Sequence, residues 1–527
     1  MLQPFNIQLN IHSKRNEKTL KKTIFIKNAL ILTASSLILR FIGIIFKVWL
    51  AKKIGSEGIG LYQLVFSVYM LATTFAISGT STAVTRLVAE ELALGSKKST
   101  IKILRRAIEI TLIIAFVSVI ILYFGAEFIA NRFLNDARAI PALKILPISL
   151  PFIGITSCLR GYFVARRKIT PTALSQIFEQ AIRIVLILFL INKFSHGGLS
   201  SSCFAVILGD CMAEILSFLV LYLSYLFDKR KLNSLSGRSR PPFPIVKQIL
   251  HISVPITSGR YLNTALRTAE NILVPKNLAK YRFGSENALS QFGMIKGMAL
   301  PILFFPSTIL NSVSTLLIPE ISEASARNHN WLVKSASEKT LKMTSLIGFI
   351  FGAIFFVAGE EIGFLLYKDH SVGFLLKALS PIVPLMYLDS ICDGILKGLD
   401  QQVFTFRTAI SDSIIRIVLI SVMLKRMGLW GFIIIMYFSN FLTCVLNVGR
   451  LIKVSRAKVE ISNQIILPLI ISITVCLFLN FLLSGLKSIN IFLFVAMISV
   501  FSGVLYIALL FMFKILKKED FLKQKPL

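Results

Sequence analysis

Residues 28–51 read NALILTASSLILRFIGIIFKVWLA, an apolar run that is broken by a few small polar side chains and by Arg40 and Lys47. A helix needs about 20 apolar residues to cross the hydrocarbon core of a bilayer, so this stretch predicts a membrane-spanning helix. Similar runs recur along the whole chain. We therefore expect an all-α polytopic membrane protein with about 14 transmembrane helices. The predicted spans are residues 28–51, 59–83, 107–126, 142–165, 172–192, 201–227, 249–274, 290–318, 343–366, 374–396, 403–424, 428–449, 463–484 and 489–513.

The composition of the 527 residues agrees with a membrane protein, because 55% of them are hydrophobic and only 16% are charged. The net charge of +32 could indicate nucleic acid as a partner. However, cytoplasmic loops of inner-membrane proteins are enriched in Lys and Arg, and here these residues crowd the loops on the side that would hold both termini. We expect a multi-pass protein of the bacterial cytoplasmic membrane, with both termini cytoplasmic, and no nucleic-acid partner.

The sequence lacks the motifs of several chemical functions. The six cysteines lie inside apolar runs and form no CxxC pair, which argues against a disulfide framework or a zinc site. No GxxxxGK[ST] loop or HExxH motif is present. We therefore expect a protein that is not an enzyme and has no cofactor, apart from a possible coupling ion, Na⁺ or H⁺.

An internal repeat divides the chain. Residues 176–187, QIFEQAIRIVLI, resemble residues 409–420, AISDSIIRIVLI, at an offset of 233 residues that also pairs charges, prolines and glycines elsewhere. Each repeat holds six spans, so the two lobes should share one orientation in the membrane, with the substrate bound between them. The predicted organisation is a basic tail (1–27), an N-lobe (28–227), a cytoplasmic linker (228–248), a C-lobe (249–454), two additional helices (455–514) and a cytoplasmic tail (515–527).

Cations inside the predicted spans are the first candidate site residues, because a charge in lipid is expensive unless it meets a partner or water. The basic group comes from the first, seventh and eighth spans and would suit a phosphate-bearing substrate, since Arg favours bidentate contact with phosphate oxygens. Snorkelling toward the membrane surface is the alternative, above all for Lys47. The group consists of Arg40, Lys47, Arg260, Arg267 and Lys296.

Carboxylates inside the spans form two further groups. Glu179 with Arg183, and Asp412 with Arg416, occupy equivalent places in the repeat at i,i+4 spacing, which favours ion pairs that stabilise each lobe. Hard cations prefer oxygen ligands, so a second group predicts a coupling site for Na⁺ or H⁺, with a partly neutralised ladder as the alternative. It consists of Glu270, Asp389, Asp393 and Asp412. Asp210 and Glu214 form a like-charged pair in the sixth span, whose role stays open.

Three stretches resemble the stage V sporulation protein B group, a polysaccharide-exporter branch of the multidrug/oligosaccharidyl-lipid/polysaccharide (MOP) flippase superfamily. They are residues 35–91, SSLILRFIGIIFKVWLAKKIGSEGIGLYQLVFSVYMLATTFAISGTSTAVTRLVAEE, residues 160–184, RGYFVARRKITPTALSQIFEQAIRI, and residues 296–322, KGMALPILFFPSTILNSVSTLLIPEIS. Arg40 matches a cation of the related lipid II flippases, and Lys47 and Lys296 approximate two others. The acidic residue that those flippases carry early in the second span has no clear equivalent here, where Gln63 is the polar residue nearby.

The resemblance implies a flippase that exports an undecaprenyl-pyrophosphate-linked oligosaccharide, such as a lipid II-like peptidoglycan or polysaccharide precursor, for the wall or for sporulation. The expected partners are this lipid-linked anionic substrate, membrane lipids and wall-synthesis enzymes, with the protein itself a monomer. One alternative is a cation-coupled multidrug exporter of the same superfamily. Others, from different classes, are a membrane glycosyltransferase or polymerase and a sporulation scaffold.

Overall fold

The structure, a computed structural model, describes residues 4–77, 79–94, 96–194, 197–233, 244–281 and 285–517. Within these residues the backbone forms helices, turns and short connections, and no strand. Apolar runs of this length satisfy their backbone hydrogen bonds inside one helix, which is the requirement for crossing a bilayer. The predicted all-α polytopic membrane fold is confirmed.

The first part of the chain forms seven helices. Gly55, which has φ of 72°, breaks α1 between the first two predicted spans. Gly79, with φ of 85°, precedes α2, so the second predicted span is divided near its end rather than continuous to residue 83. The helices are α1 (Pro4–Ile77), α2 (Thr80–Ala93), α3 (Lys97–Phe128), α4 (Ile140–Ile145), α5 (Leu150–Ala165), α6 (Thr170–Phe194) and α7 (Gly198–Asn233).

The second part contains the remaining helices. Prolines interrupt the eighth predicted span, because Pro301 and Pro306 each begin a new helical segment. The π-helical turn Met294–Ala299 precedes the first of these breaks. The helices are α8 (Ile245–Leu278), α9 (Ser285–Gly293), α10 (Leu300–Phe304), α11 (Ser307–Ala326), α12 (Asn330–Tyr367), α13 (His370–Leu379), α14 (Val383–Gly398), α15 (Gln402–Ser455), α16 (Leu467–Leu482), α17 (Ser484–Ile489) and α18 (Ile491–Met512).

Nine helical segments in the described part of the chain are long and apolar enough to span a membrane, judged by length and composition alone. One of them, α15, has 54 residues and is broken at Gly428, where φ is 55° and ψ is −130°, so it contains both the eleventh and the twelfth predicted spans. Helices α1 and α8 are not among these nine segments of the described residues.

Contacts divide the chain into two compact units. The N-unit comprises Met1–Gly43 and Val65–Ala265, and the C-unit comprises Ile44–Leu64 and Leu266–Leu527. Helices α1 and α8 therefore each contribute to both units. The lobe boundaries expected from the sequence stay a prediction, and residues 234–243 of the predicted linker lie outside the described part of the chain.

The two units repeat the same local features at the offset of 233 residues. Asn135 and Lys368 both have left-handed backbone conformations, and each is followed by an aspartate that caps the next helical segment. An ion pair then joins consecutive spans in each unit: Lys144 Nζ lies 2.7 Å from Glu127 Oε1, and Lys377 Nζ lies 2.8 Å from Glu360 Oε1. The internal repeat found in the sequence is therefore a repeat of structure.

Candidate functional site

A buried ion-pair cluster lies inside the C-unit. Glu270 on α8 is only 2% exposed, and its carboxylate bridges two cations. Lys296 Nζ donates a hydrogen bond to Glu270 Oε1 at 2.9 Å, and Arg416 Nη2 lies 2.7 Å from Glu270 Oε2. Arg416 also approaches Asp412 at 3.4 Å, and the Ser439 hydroxyl donates to Asp412 Oδ1 at 2.6 Å. Two carboxylates thus meet two cations in this cluster, which we call the C-cluster.

The backbone explains how Lys296 reaches Glu270. Lys296 lies in the π-helical turn Met294–Ala299, and π-turns widen a helix locally and re-aim its side chains. Glu270 lies in the C-terminal third of α8, one turn after Arg267, which itself is exposed. Lys296 and Glu270 were placed in different groups by the sequence, but in the structure they form one ion pair.

The N-unit contains a comparable cluster around Arg183 on α6. Arg183 lies within ion-pair distance of three carboxylates, at 2.9 Å from Glu179, 3.0 Å from Asp210 and 3.4 Å from Glu214. Arg160 Nη2 on α5 is the second cation and lies 2.9 Å from Glu179 Oε2. Three carboxylates therefore share two guanidinium groups, in what we call the N-cluster. The sequence indicated the i,i+4 pair of Glu179 and Arg183, and it placed Arg160 inside another predicted span without indicating a partner for it.

The two remaining carboxylates of the predicted coupling group lie on α14. Asp393 has its own cation, since Lys397 Nζ lies 2.5 Å from Asp393 Oδ2. Asp389 has no ion pair with any described residue. Instead, the side-chain amide of Asn447 on α15 donates to Asp389 Oδ1 at 2.7 Å.

Four members of the basic group have a different environment from Lys296. Arg40, Lys47, Arg260 and Arg267 are all exposed, and no ion pair joins any of them to a carboxylate within the part of the chain that the structure describes. Arg40 and Arg260 belong to the N-unit, and Lys47 and Arg267 belong to the C-unit. Within the predicted spans, the acids of both clusters thus form ion pairs with cations, whereas none of these four cations forms an ion pair with a described carboxylate.

An apolar cavity of about 770 Å³ lies in the C-unit. Its walls come from the part of α1 that belongs to the C-unit and from α10, α12 and α18, and nearly all of its lining side chains are aliphatic or aromatic. Ile45, Phe305, Ile350 and Tyr506 are among them. Such a cavity suits a hydrocarbon chain rather than a polar ligand.

Metal-ligating side chains do not gather into a site anywhere in the described part of the chain. No group of three or more His, Cys, Asp or Glu side chains in the described ranges could hold a metal ion. The six cysteines are free and buried, as expected from their places in apolar runs. The described spans therefore hold a cluster with balanced charges in the C-unit and a cluster with one excess carboxylate in the N-unit. They also hold exposed cations that form no ion pair with a described carboxylate.

The chain resembles known proteins over nearly its whole length. It is 28% identical to stage V sporulation protein B of Bacillus subtilis (strain 168), over 95% of this chain and 97% of that protein. The structure resembles the lipid II flippase MurJ in an inward closed conformation, with a TM-score of 0.67 and 18% identity over 91% of this chain and 100% of that one.

It also resembles a multidrug resistance MATE family transporter of the MOP superfamily in an inward-facing conformation. The TM-score is 0.63 and the identity is 13%, over 80% of this chain and 100% of that one. These similarities confirm the resemblance to stage V sporulation protein B and the MOP superfamily that was inferred from residues 35–91, 160–184 and 296–322. A family model described as "Polysaccharide biosynthesis protein" matches residues 25–296, and the chain belongs to that family.

Proposed function

We propose that this protein is a flippase that moves an undecaprenyl-pyrophosphate-linked oligosaccharide, of the lipid II or polysaccharide-precursor type, across the cytoplasmic membrane. The observation that carries the proposal is the imbalance of charge within the membrane-spanning segments. Arg40, Lys47, Arg260 and Arg267 are exposed and unpaired among the described residues, while Glu270 and Asp412 are engaged by cations. An unpaired cation at this depth needs an anionic partner or water, and a pyrophosphate supplies the anion.

The apolar cavity of the C-unit supports the same class of substrate. A lipid-linked sugar carries a long isoprenoid chain that favours hydrocarbon surroundings, and the cavity offers a surface made almost wholly of apolar side chains. A charged headgroup and an apolar tail would thus each meet matching chemistry. An exporter of organic cations would instead use free carboxylates, and those of the two clusters are occupied.

The remaining parts of the proposal follow from the topology. The positive charge of the loops favours a bacterial cytoplasmic membrane protein with both termini in the cytoplasm. Alternating access of two repeats would move the headgroup without covalent chemistry, so the protein would act as a transporter rather than an enzyme. Wall-synthesis enzymes would supply and consume its substrate, and the protein would work as a monomer.

The test is to deplete the protein, measure lipid-linked precursor in each leaflet, and complement with Arg40→Ala or Arg267→Ala. A hydrogen bond to a charged group contributes about 1.5–3 kcal/mol, so we expect each variant to slow translocation roughly 10- to 100-fold. Precursor should then accumulate in the cytoplasmic leaflet.

Two controls separate this outcome from a general defect. Arg105→Ala removes a surface cation that pairs with Glu109 outside the basic group, and it should restore the normal leaflet distribution. Arg40→Lys retains the charge but loses bidentate geometry, so its rate should lie between those of wild type and Arg40→Ala. An unchanged distribution after depletion and in both alanine variants would exclude the flippase proposal. Loss of organic-cation export with normal precursor distribution would favour the multidrug exporter.

A further inference from the structure

Asp389 differs from the other three carboxylates that the sequence placed in a coupling group. Glu270 and Asp412 belong to the C-cluster with Lys296 and Arg416, and Asp393 pairs with Lys397. In each of these cases a fixed cation of the protein already occupies the place that a coupling ion would take. Asp389 alone among the four has no cationic partner in the described part of the chain. A carboxylate at such a position in a transmembrane helix calls for a compensating positive charge.

The surroundings of Asp389 contain a second polar group whose hydrogen bonding is incomplete. Asn447 is only 5% exposed, and its Nδ2 donates to Asp389 Oδ1 at 2.7 Å. Its Oδ1, on the same carboxamide, is buried and has no hydrogen-bond partner. Leaving a buried acceptor unpaired costs about 1–3 kcal/mol. One polar atom of the Asn447 side chain therefore lacks a hydrogen bond, next to a carboxylate that has no cationic partner in the described part of the chain.

We infer that Asp389 binds a proton, which Asp389 then shares with Asn447 through a paired acid–amide hydrogen bond. A proton on the free carboxylate oxygen makes Asp389 a donor, and the unpaired Oδ1 of Asn447 is the acceptor that matches it. One proton thus removes an uncompensated charge and satisfies an orphaned acceptor together. The oxygen-to-proton bond is the only bond formed, and release of the proton to water reverses it.

A metal cation fits the same place less well. Na⁺ would need several oxygen ligands, whereas the amide Nδ2 of Asn447 already directs its partial positive charge at Asp389 Oδ1. The hydroxyl of Thr443, one helical turn before Asn447 on α15, is a further neighbour of Asp389. The Asn447 amide occupies one carboxylate oxygen of Asp389, so fewer oxygen ligands are left there than Na⁺ needs.

The other titratable groups near Asp389 are few. They include the carboxylates of Asp393 on the same helix and of Asp412 on α15. Cys392 and Cys444 lie nearby and are buried thiols. Lys397 is held by Asp393, so it does not neutralise Asp389. If the protein is the flippase proposed above, a proton that binds and leaves here would couple transport to the proton gradient.

Infrared spectroscopy of the full-length protein in lipid nanodiscs, with no substrate added, tests the site directly. The carbonyl stretch of a protonated carboxylic acid is separate from that of a carboxylate. We expect such a band at neutral pH that disappears as the pH is raised. It should be lost in Asp389→Asn and retained in Asp393→Asn, the matched control one helical turn away.

A second variant keeps the test decisive if Asp389→Asn folds poorly. Asn447→Leu preserves the side-chain volume but removes both amide contacts, so the acid band should move to the frequency of a carbonyl free of hydrogen bonds. A purely structural role for Asn447 would leave that frequency unchanged. An acid band that is unchanged in Asp389→Asn would overturn the inference. So would loss of the band on adding Na⁺ at constant pH, which would assign the site to sodium. Neither result depends on the lipid substrate.

Discussion

Glu270→Gln should destabilise the protein more than any other single loss of a carboxylate in the C-unit. Glu270 is 2% exposed and meets both Lys296 and Arg416. Removing one partner of a buried ion pair leaves the other as an uncompensated charge, which costs about 3–5 kcal/mol. Here Lys296 and Arg416 both lose the carboxylate that they share, and only Arg416 still has a carboxylate nearby, that of Asp412. We expect the free energy of unfolding in detergent micelles, followed by loss of helical circular dichroism, to fall by about that amount.

The exposed pair of Glu360 and Lys377 supplies the control. Glu360→Gln also removes one carboxylate from an ion pair of similar length, 2.8 Å, but the two side chains are 48% and 45% exposed. Water screens such a pair, so its loss should change the free energy of unfolding by no more than about 1 kcal/mol. Adding Lys296→Met to Glu270→Gln should recover part of the stability, because it removes one of the two stranded cations. Equal effects of Glu270→Gln and Glu360→Gln would contradict the assignment of Glu270 as a buried bridge.

The pattern of apolar runs and the internal repeat in the sequence were enough to predict most of the fold. The lengths of the apolar runs predicted the membrane-spanning helices. The offset of 233 residues identified the repeat, and its turns and ion pairs recur in both units. The predicted spans are less continuous in the structure where backbone chemistry interrupts an apolar run. Gly79 divides the second span, and Pro301 and Pro306 divide the eighth. Hydropathy does not register these breaks, because glycine and proline are compatible with an apolar run.

The candidate site was predictable only in part, for a physical reason. Spacing of i,i+4 identified Glu179 with Arg183, because neighbours on one helix face are fixed by helix geometry. The bridge from Glu270 to Lys296 and Arg416 joins three helices, and no single-helix spacing encodes it. Composition therefore assigned Lys296 to a free basic group, whereas tertiary packing gives it a carboxylate partner. The orphaned oxygen of Asn447 is likewise visible only when α14 and α15 are packed together.

Arg183→Gln should have the largest effect in the N-unit. Arg183 lies within 3.4 Å of Glu214 and closer still to Glu179 and Asp210. Of the two cations of the N-cluster, only Arg160 would then remain beside the three carboxylates, and like charges held together in a low-dielectric interior repel strongly. We expect a loss of at least about 3 kcal/mol in the free energy of unfolding. Arg183→Lys should lose less, because it keeps the charge but not the fork that reaches several carboxylates.

Arg416→Gln is the control for Arg183→Gln. Comparing the free energies of unfolding of the two variants separates repulsion among the N-cluster carboxylates from the general effect of losing an arginine inside a span. Arg416 holds the equivalent position in the repeat, but its removal leaves Glu270 still paired with Lys296, so the destabilisation should be smaller. Lowering the pH to about 5 protonates carboxylates whose neighbours are anionic. That change should therefore restore stability to Arg183→Gln more than to Arg416→Gln, when each is measured against wild type at the same pH. Suppose that the difference in the free energy of unfolding between Arg183→Gln and wild type is as large at pH 5 as at neutral pH. The N-cluster would then be stabilised by packing rather than by the balance of its charges.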